Sequence, residues 1–128
     1  MGLAADVGTL QRLPKVTGND SLVREWCYTG RKVDSKEAER AGLVSQVFDT
    51  KEEMMKYGLE LGAAIASKSP IAIRGTKLSL NYSRDHSIQE GLNHIALLNS
   101  VFLQSEDLTI SLNAISTSKK RIPKYNKL

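Results

Sequence analysis

The chain has 128 residues, 41% of them hydrophobic, with a formal charge of +4 at pH 7; that length supports one modest domain and leaves little apolar surface for a second. Charged or polar residues interrupt every apolar run short of the roughly 18 residues a membrane span needs, and Met1 to Thr9 lacks the basic start of a secretory signal, so a soluble, unexported chain is expected. One cysteine, Cys27, excludes an internal disulfide and, with no clustered histidines, a zinc set, which points to a reducing compartment.

Gly2 to Ala5 is small and apolar, and Asp6 stands where it can open a short helix from Val7 to Leu13, with Pro14 as its stop. Asn19 and Asp20 offer capping oxygens to a helix from Ser21 to about Thr29, and Gly30 sits just past its end. Asp34 with Glu37 three residues on predicts a capping box and a short helix ending at Gly42. Leu43 to Phe48 alternates apolar and polar residues and has the β-branched content of one short strand. A lone strand leaves backbone groups on both edges without partners, so either its partners lie outside this chain or the segment is not a strand.

From Thr50 the pattern is helical. Thr50 and Glu53 predict a capping box for a helix reaching Lys68, with an apolar stripe at Met54, Tyr57, Leu61, Ala64 and Ile65. Ser69-Pro70 reads as an N-cap followed by proline in the first helical position, opening a helix striped by Ile71, Gly75, Leu78 and Tyr82. Ser87 and Glu90 form a third predicted capping box, on a helix from Ser87 to Gln104 whose apolar residues nearly encircle it, the pattern of a helix buried between elements or subunits. Ser105, Glu106 and Asp107 begin a last helix with Leu108, Leu112 and Ile115 on one face. Lys119, Lys120, Arg121, Lys124 and Lys127 crowd the end of the chain, where they would attract phosphate.

The run Gly8 to Gly18 (GTLQRLPKVTG), Tyr28-Thr29-Gly30-Arg31, and Ala38 to Phe48 (AERAGLVSQVF) together resemble the enoyl-CoA hydratase/isomerase (crotonase) family. Met1 to Val16, Ser67-Lys68-Ser69-Pro70 and Tyr82 to Ser87 are most similar to its Δ3,5-Δ2,4-dienoyl-CoA isomerase branch. Hydratases of the family carry a glycine-rich turn where this chain has Ala5-Asp6-Val7, so Asp6 favours the isomerase branch. The resemblance implies the C-terminal part of a spiral α/β fold of ββα repeats. Residues 1–50 would form a partial last turn of the core and residues 51–128 a helical region that builds trimers or hexamers. The expected fold class of the chain is mainly α with one short strand.

The same resemblance implies an enzyme that shifts the double bonds of a 3,5-dienoyl-CoA to the 2,4-dienoyl-CoA in fatty-acid β-oxidation, with the coenzyme A thioester as substrate and no cofactor. Asp6 matches one of the acids that pass a proton along the acyl chain. The other acids, and the two N–H donors that hold the thioester oxygen, fall before Met1 in the family pattern, so the isolated chain is expected to be inactive. Asp6 would need a pKa raised by an apolar lining such as Leu3, Ala4 and Ala5; its alternative role is to cap the Val7 to Leu13 helix, which would lower that pKa. Gly8 and Thr9 match a turn close to the acyl chain and thioester, a low-specificity signal. Lys119 and Lys120 lie where the family carries a basic residue reaching a CoA phosphate across a subunit boundary, the alternative being solvated charge. His86 and His94 are too isolated for a metal site, and Cys27 beside Trp26 is expected to pack rather than react.

Two alternatives stay open: an enoyl-CoA hydratase, and a non-catalytic module that assembles through the helix from Ser87 to Gln104. Neither nucleic acid nor membrane is an expected partner, since the basic charge is confined to one end without interleaved aromatics. Asn126-Lys127-Leu128 is similar to a Ser-Lys-Leu peroxisomal address with Asn in its first place, which sets peroxisome above mitochondrion.

Overall fold

The computed structural model describes residues 2–116 and 123–126, and every regular element in them is an α-helix. They run α1 (Thr9–Thr17), α2 (Asp20–Thr29), α3 (Ser35–Arg40), α4 (Lys51–Ala66), α5 (Pro70–Ser83), α6 (Ile88–Phe102) and α7 (Glu106–Ser116). The chain divides into two compact units, one up to Met55 and one from Lys56 onward.

Local capping sets the helix boundaries. Asn19 Oδ1 accepts from the Leu22 N–H at 3.1 Å, Asp34 Oδ1 from Glu37 at 2.8 Å, Thr50 Oγ1 from Glu53 at 3.2 Å and Ser69 Oγ from Ala72 at 3.1 Å. Ser87 and Glu90 complete a reciprocal box: the Ser87 hydroxyl accepts from the Glu90 N–H while the Glu90 carboxylate accepts from the Ser87 N–H at 2.8 Å. These bonds satisfy first-turn donors that no helical carbonyl reaches. Gly30, at φ 61, ends α2 in the left-handed conformation that lets its N–H return to the Trp26 carbonyl.

Three expectations are corrected. Pro14 does not stop α1, which starts at Thr9 and continues to Thr17. The proline forfeits one main-chain bond, but the turn that follows is closed by the Thr17 hydroxyl on the Leu13 carbonyl and by Gly18, at φ 65, returning its N–H to the Pro14 carbonyl. Residues 43–48 form no strand, and the described residues contain none. Leu43 and Val44 instead fold their N–H groups back onto the Ala38 carbonyl, and Val47 donates to Glu39 Oε1, because no neighbouring strand offers a ladder. Asp34 and Glu37 make only the first half of the expected box. The Glu37 carboxylate turns to Trp26 and Arg31.

In the first unit α1 packs on α2, and the buried hydrophobic residues are Val23, Trp26 and Ala38. In the second, α5 packs on α6. Gly75 is the buried contact point: a Cβ there would lie 2.6 Å from Phe102 Cε2, so only glycine lets this ring lie against the α5 backbone. Tyr82 is stacked between His86 at 3.6 Å and His94 at 3.9 Å, fastening the end of α5 to α6. Asp107, 7% exposed, accepts from Ser69 Oγ at 2.5 Å and ties α7 to the start of α5.

Much of the predicted apolar surface is uncovered. The α4 stripe keeps Met54, Tyr57, Leu61 and Ile65 exposed, and on α6 Leu97 is 71% and Val101 67% exposed. No residue of α6 is buried, although α5 packs along it. No helix among the described residues is long and apolar enough to cross a membrane.

Candidate functional site

Asp6, Gly8 and Thr9 share one tight turn. The Thr9 N–H donates to the Asp6 main-chain carbonyl at 3.0 Å, and Arg12 donates to the Gly8 carbonyl at 3.0 Å. Gly8, at φ 88, is the N-cap of α1, so Asp6 does not occupy the capping position. The main chain of Asp6 closes the turn, and its side chain is exposed and caps no N–H of α1. Val7 between them has φ 54, the left-handed conformation that a β-branched residue adopts only under constraint. Gly8 is half-buried under the Arg12 guanidinium, whose Nε lies 3.2 Å from where a Cβ would stand.

The apolar lining expected around Asp6 is not formed. Ala4 and Ala5 are exposed and Leu3 is 86% exposed, so none withdraws the carboxylate from water. Lys119 and Lys120 lie outside the described residues, as do Lys127 and Leu128 of the terminal tripeptide. His86 and His94 clasp Tyr82 from either side, with His86 Nδ1 2.7 Å from the Tyr82 carbonyl. Cys27 is half-buried on α2. No three of the described His, Cys, Asp and Glu side chains come together as a metal site.

The principal polar cluster of the first unit escaped the pattern reading. Arg31 donates to both oxygens of Glu37, at 2.7 and 2.6 Å, and through Nε and Nη2 to Glu25 Oε1, while the Trp26 indole N–H reaches Glu37 Oε1 at 3.0 Å. The Arg31 fork, and second the Trp26 donor, hold the Glu37 carboxyl down at about 2. Arg31 is in turn raised above its ordinary value, first by Glu37 and then by Glu25. Its available signal was Gly30-Arg31, where the left-handed glycine turns the chain back over α2.

A profile of the enoyl-CoA hydratase/isomerase family matches residues 1–126. The chain belongs to that family. It is 54% identical over 120 residues to the human mitochondrial Δ(3,5)-Δ(2,4)-dienoyl-CoA isomerase, covering 94% of this chain and 37% of that protein. The peroxisomal dienoyl-CoA isomerase of Arabidopsis thaliana is 39% identical over 128 residues, covering all of this chain and 45% of that one. Among solved structures, the enoyl-CoA hydratase of Bacillus anthracis superposes with a TM-score of 0.88 at 28% identity, over 97% of this chain and 46% of the other. The family member described here thus has the helical C-terminal region of the crotonase fold, and spans less than half the length of these relatives.

Proposed function

We propose that this chain is the C-terminal portion of a Δ3,5-Δ2,4-dienoyl-CoA isomerase, with Asp6 as one of two carboxyl groups that carry the proton. Conversion of a 3,5-diene to a 2,4-diene removes a proton from C2, moves both double bonds one carbon toward the thioester and returns a proton at C6. No atom is gained or lost, and one carboxylate must accept where another carboxylic acid donates. The observation that carries the reading is the 54% identity to an isomerase across 94% of the chain, on an aspartate-bearing turn whose carboxylate is left free of capping. Gly8 and Thr9 would lie beside the acyl chain and Lys119 and Lys120 near the CoA phosphates. The coenzyme A thioester is the substrate, and no cofactor enters this chemistry.

The isolated chain is proposed to be inactive. Asp6 is exposed, its apolar neighbours are unpacked, and the relatives are more than twice as long. The test is the absorbance of conjugated dienoyl-CoA with the purified chain and with the chain joined to the N-terminal portion of a dienoyl-CoA isomerase. The joined protein should turn over and its Asp6→Asn variant should not. Full activity in that variant would remove Asp6 from the mechanism, and turnover by the chain alone would end the claim of inactivity.

The exposed apolar faces of α4 and α6 support homo-oligomeric assembly as an additional role, trimeric or hexameric in a full-length protein. Light scattering on the joined protein tests this, a clean monomer counting against it. Peroxisomal import is the proposed location, to be checked by fusing residues 117–128 to a fluorescent reporter; mitochondrial capture of the joined protein would reverse it.

A further inference from the structure

Among the described residues Asp107, in the first turn of α7, is the buried charged side chain, 7% exposed. Every other described acid is exposed to water except Glu37, which Arg31 and Trp26 hold. Asp107 has neither remedy. Its carboxylate takes one hydrogen bond, from Ser69 Oγ to Oδ2, and a hydroxyl has only one proton to give. Oδ1 accepts from no described donor, yet it keeps contact with the space beside it, unlike the sealed Ser79 hydroxyl. No described cation pairs with Asp107, although the chain carries 18 lysines and arginines. The N-terminus of α7 offsets part of the charge, and the rest calls for a counter-charge from outside the described residues.

The space is a cavity of about 270 Å³ within the second unit, bounded by α5, α6 and α7. Thr76, Asn99 and Ser105 line it beside Asp107, together with Ile71, Ile95 and Leu108, and no lysine, arginine or histidine does. An adjoining concavity shares Ile71, Ser105 and Asp107, adds Glu106, and again has no base in its wall. We infer that this cavity binds a small free primary alkylammonium, its charge on Asp107 and its hydrocarbon arm against the aliphatic side chains. An ammonium brings three donors and no acceptor, which suits an open carboxylate oxygen with hydroxyl and amide acceptors nearby. The same pair is stronger in a cavity than in water. A hard metal cation fits less well, since it needs about six oxygen ligands and half of this wall is hydrocarbon. The volume lies just below that of pockets for drug-sized ligands, so the arm is short. The inference stands apart from the isomerase reading, because Asp107 enters no proton transfer and binding alone decides it.

Isothermal titration of the full chain with n-butylammonium chloride should give one saturable site that persists at about 150 mM salt, because a buried pair is screened little. n-Butanol, with the same arm and no charge, should bind about tenfold or more weakly. Asp107→Asn keeps the size of the side chain and an acceptor for Ser69, and should weaken n-butylammonium by about tenfold or more. Ala72→Leu keeps the carboxylate and fills the cavity from α5, so it should weaken binding as well and carries the test if circular dichroism shows Asp107→Asn unfolded. Glu60→Gln, an equal loss of charge on exposed α4 surface, should leave binding unchanged. Nα-acetyl-lysine methylamide bears the same arm on a peptide backbone: weaker binding keeps the ligand a free amine, and tighter binding overturns that assignment in favour of a protein lysine. Absence of saturable binding, equal affinity for n-butanol, equal weakening by Glu60→Gln, or displacement by an equal concentration of sodium would each overturn the inference.

Discussion

The Trp26 indole N–H donates to Glu37 Oε1 across 3.0 Å, joining a large buried side chain of the first unit to a carboxylate whose two oxygens Arg31 also grips. A buried indole needs such an acceptor, and a half-buried carboxylate needs such donors. Each therefore makes the other's position tolerable. Glu37 lies at about 2 when folded against an ordinary 4.5, so the linkage has one sign. Its contribution is complete above about pH 4.5 and is lost as pH falls from there toward 2. Thermal melts across that window should show wild type losing stability more steeply than Glu37→Gln. At pH 7 the variant should melt lower. Parallel pH profiles for the two would show that the Arg31 and Trp26 contacts do not stabilise the fold.

The Gly75 and Phe102 contact predicts a second result. With a Cβ placed 2.6 Å from the ring edge, Gly75→Ala must push α6 outward or turn Phe102 off its rotamer. Overpacking of this kind costs about 1–3 kcal/mol, more than the helix propensity gained by replacing glycine. The same substitution beside Phe102→Leu should cost much less, and a double-mutant cycle by urea denaturation measures the difference. Equal penalties in both backgrounds would mean that the ring does not lie where described.

Ser69 and Ser87 are both N-caps, yet they should not be worth the same. Ser87→Ala removes the hydroxyl that caps the Glu90 N–H and donates to the exposed Glu90 carboxylate, but keeps the main-chain N–H half of the box, a loss of about 1 kcal/mol. Ser69→Ala removes a cap and also the hydroxyl that donates to the buried Asp107 carboxylate. Both hydroxyls donate to a carboxylate, but Asp107 is buried whereas Glu90 is exposed to water; leaving a buried charged acceptor without its donor costs about 1–3 kcal/mol, so Ser69→Ala should be the more destabilising by about 1 kcal/mol. Chemical denaturation of the two single variants, with Asp107→Asn as a third, tests that ordering.

The elements that were legible in the sequence are those whose cause is local. Asn19, Asp34, Thr50, Ser69 and Ser87 each accept from a backbone N–H three residues on, a contact that needs no other part of the fold. The misread elements depend on distant partners. The Asp34 and Glu37 spacing points the Glu37 carboxylate at its own helix end, but Arg31 and Trp26 compete for it and offer stronger donors. Residues 43–48 have a strand's composition and no strand beside them, so composition alone could not settle their conformation. Asp6 could be singled out only by resemblance, because nothing in its neighbours distinguishes a proton carrier from a helix cap.

That last ambiguity can be resolved on the isolated chain. If the Asp6 carboxylate were a cap, its truncation to alanine would weaken α1 by about 0.5–2 kcal/mol; here only the main-chain carbonyl takes the Thr9 N–H, and Gly8 holds the capping position. Asp6→Ala should therefore change stability by no more than about 0.5 kcal/mol. Val7 is the opposite case. Its side chain is 89% exposed and buries almost nothing, while its φ of 54 is a conformation disfavoured by about 1–2 kcal/mol in residues with a Cβ. Val7→Gly relieves that strain but gives the unfolded chain more freedom, which leaves a net gain of about 0.5–1 kcal/mol if the turn is as strained as its geometry indicates. Denaturation midpoints of the two variants against wild type make the comparison. A silent aspartate next to a strained valine means the turn is held for something other than stability, whereas a destabilising Asp6→Ala would return the carboxylate to the helix end.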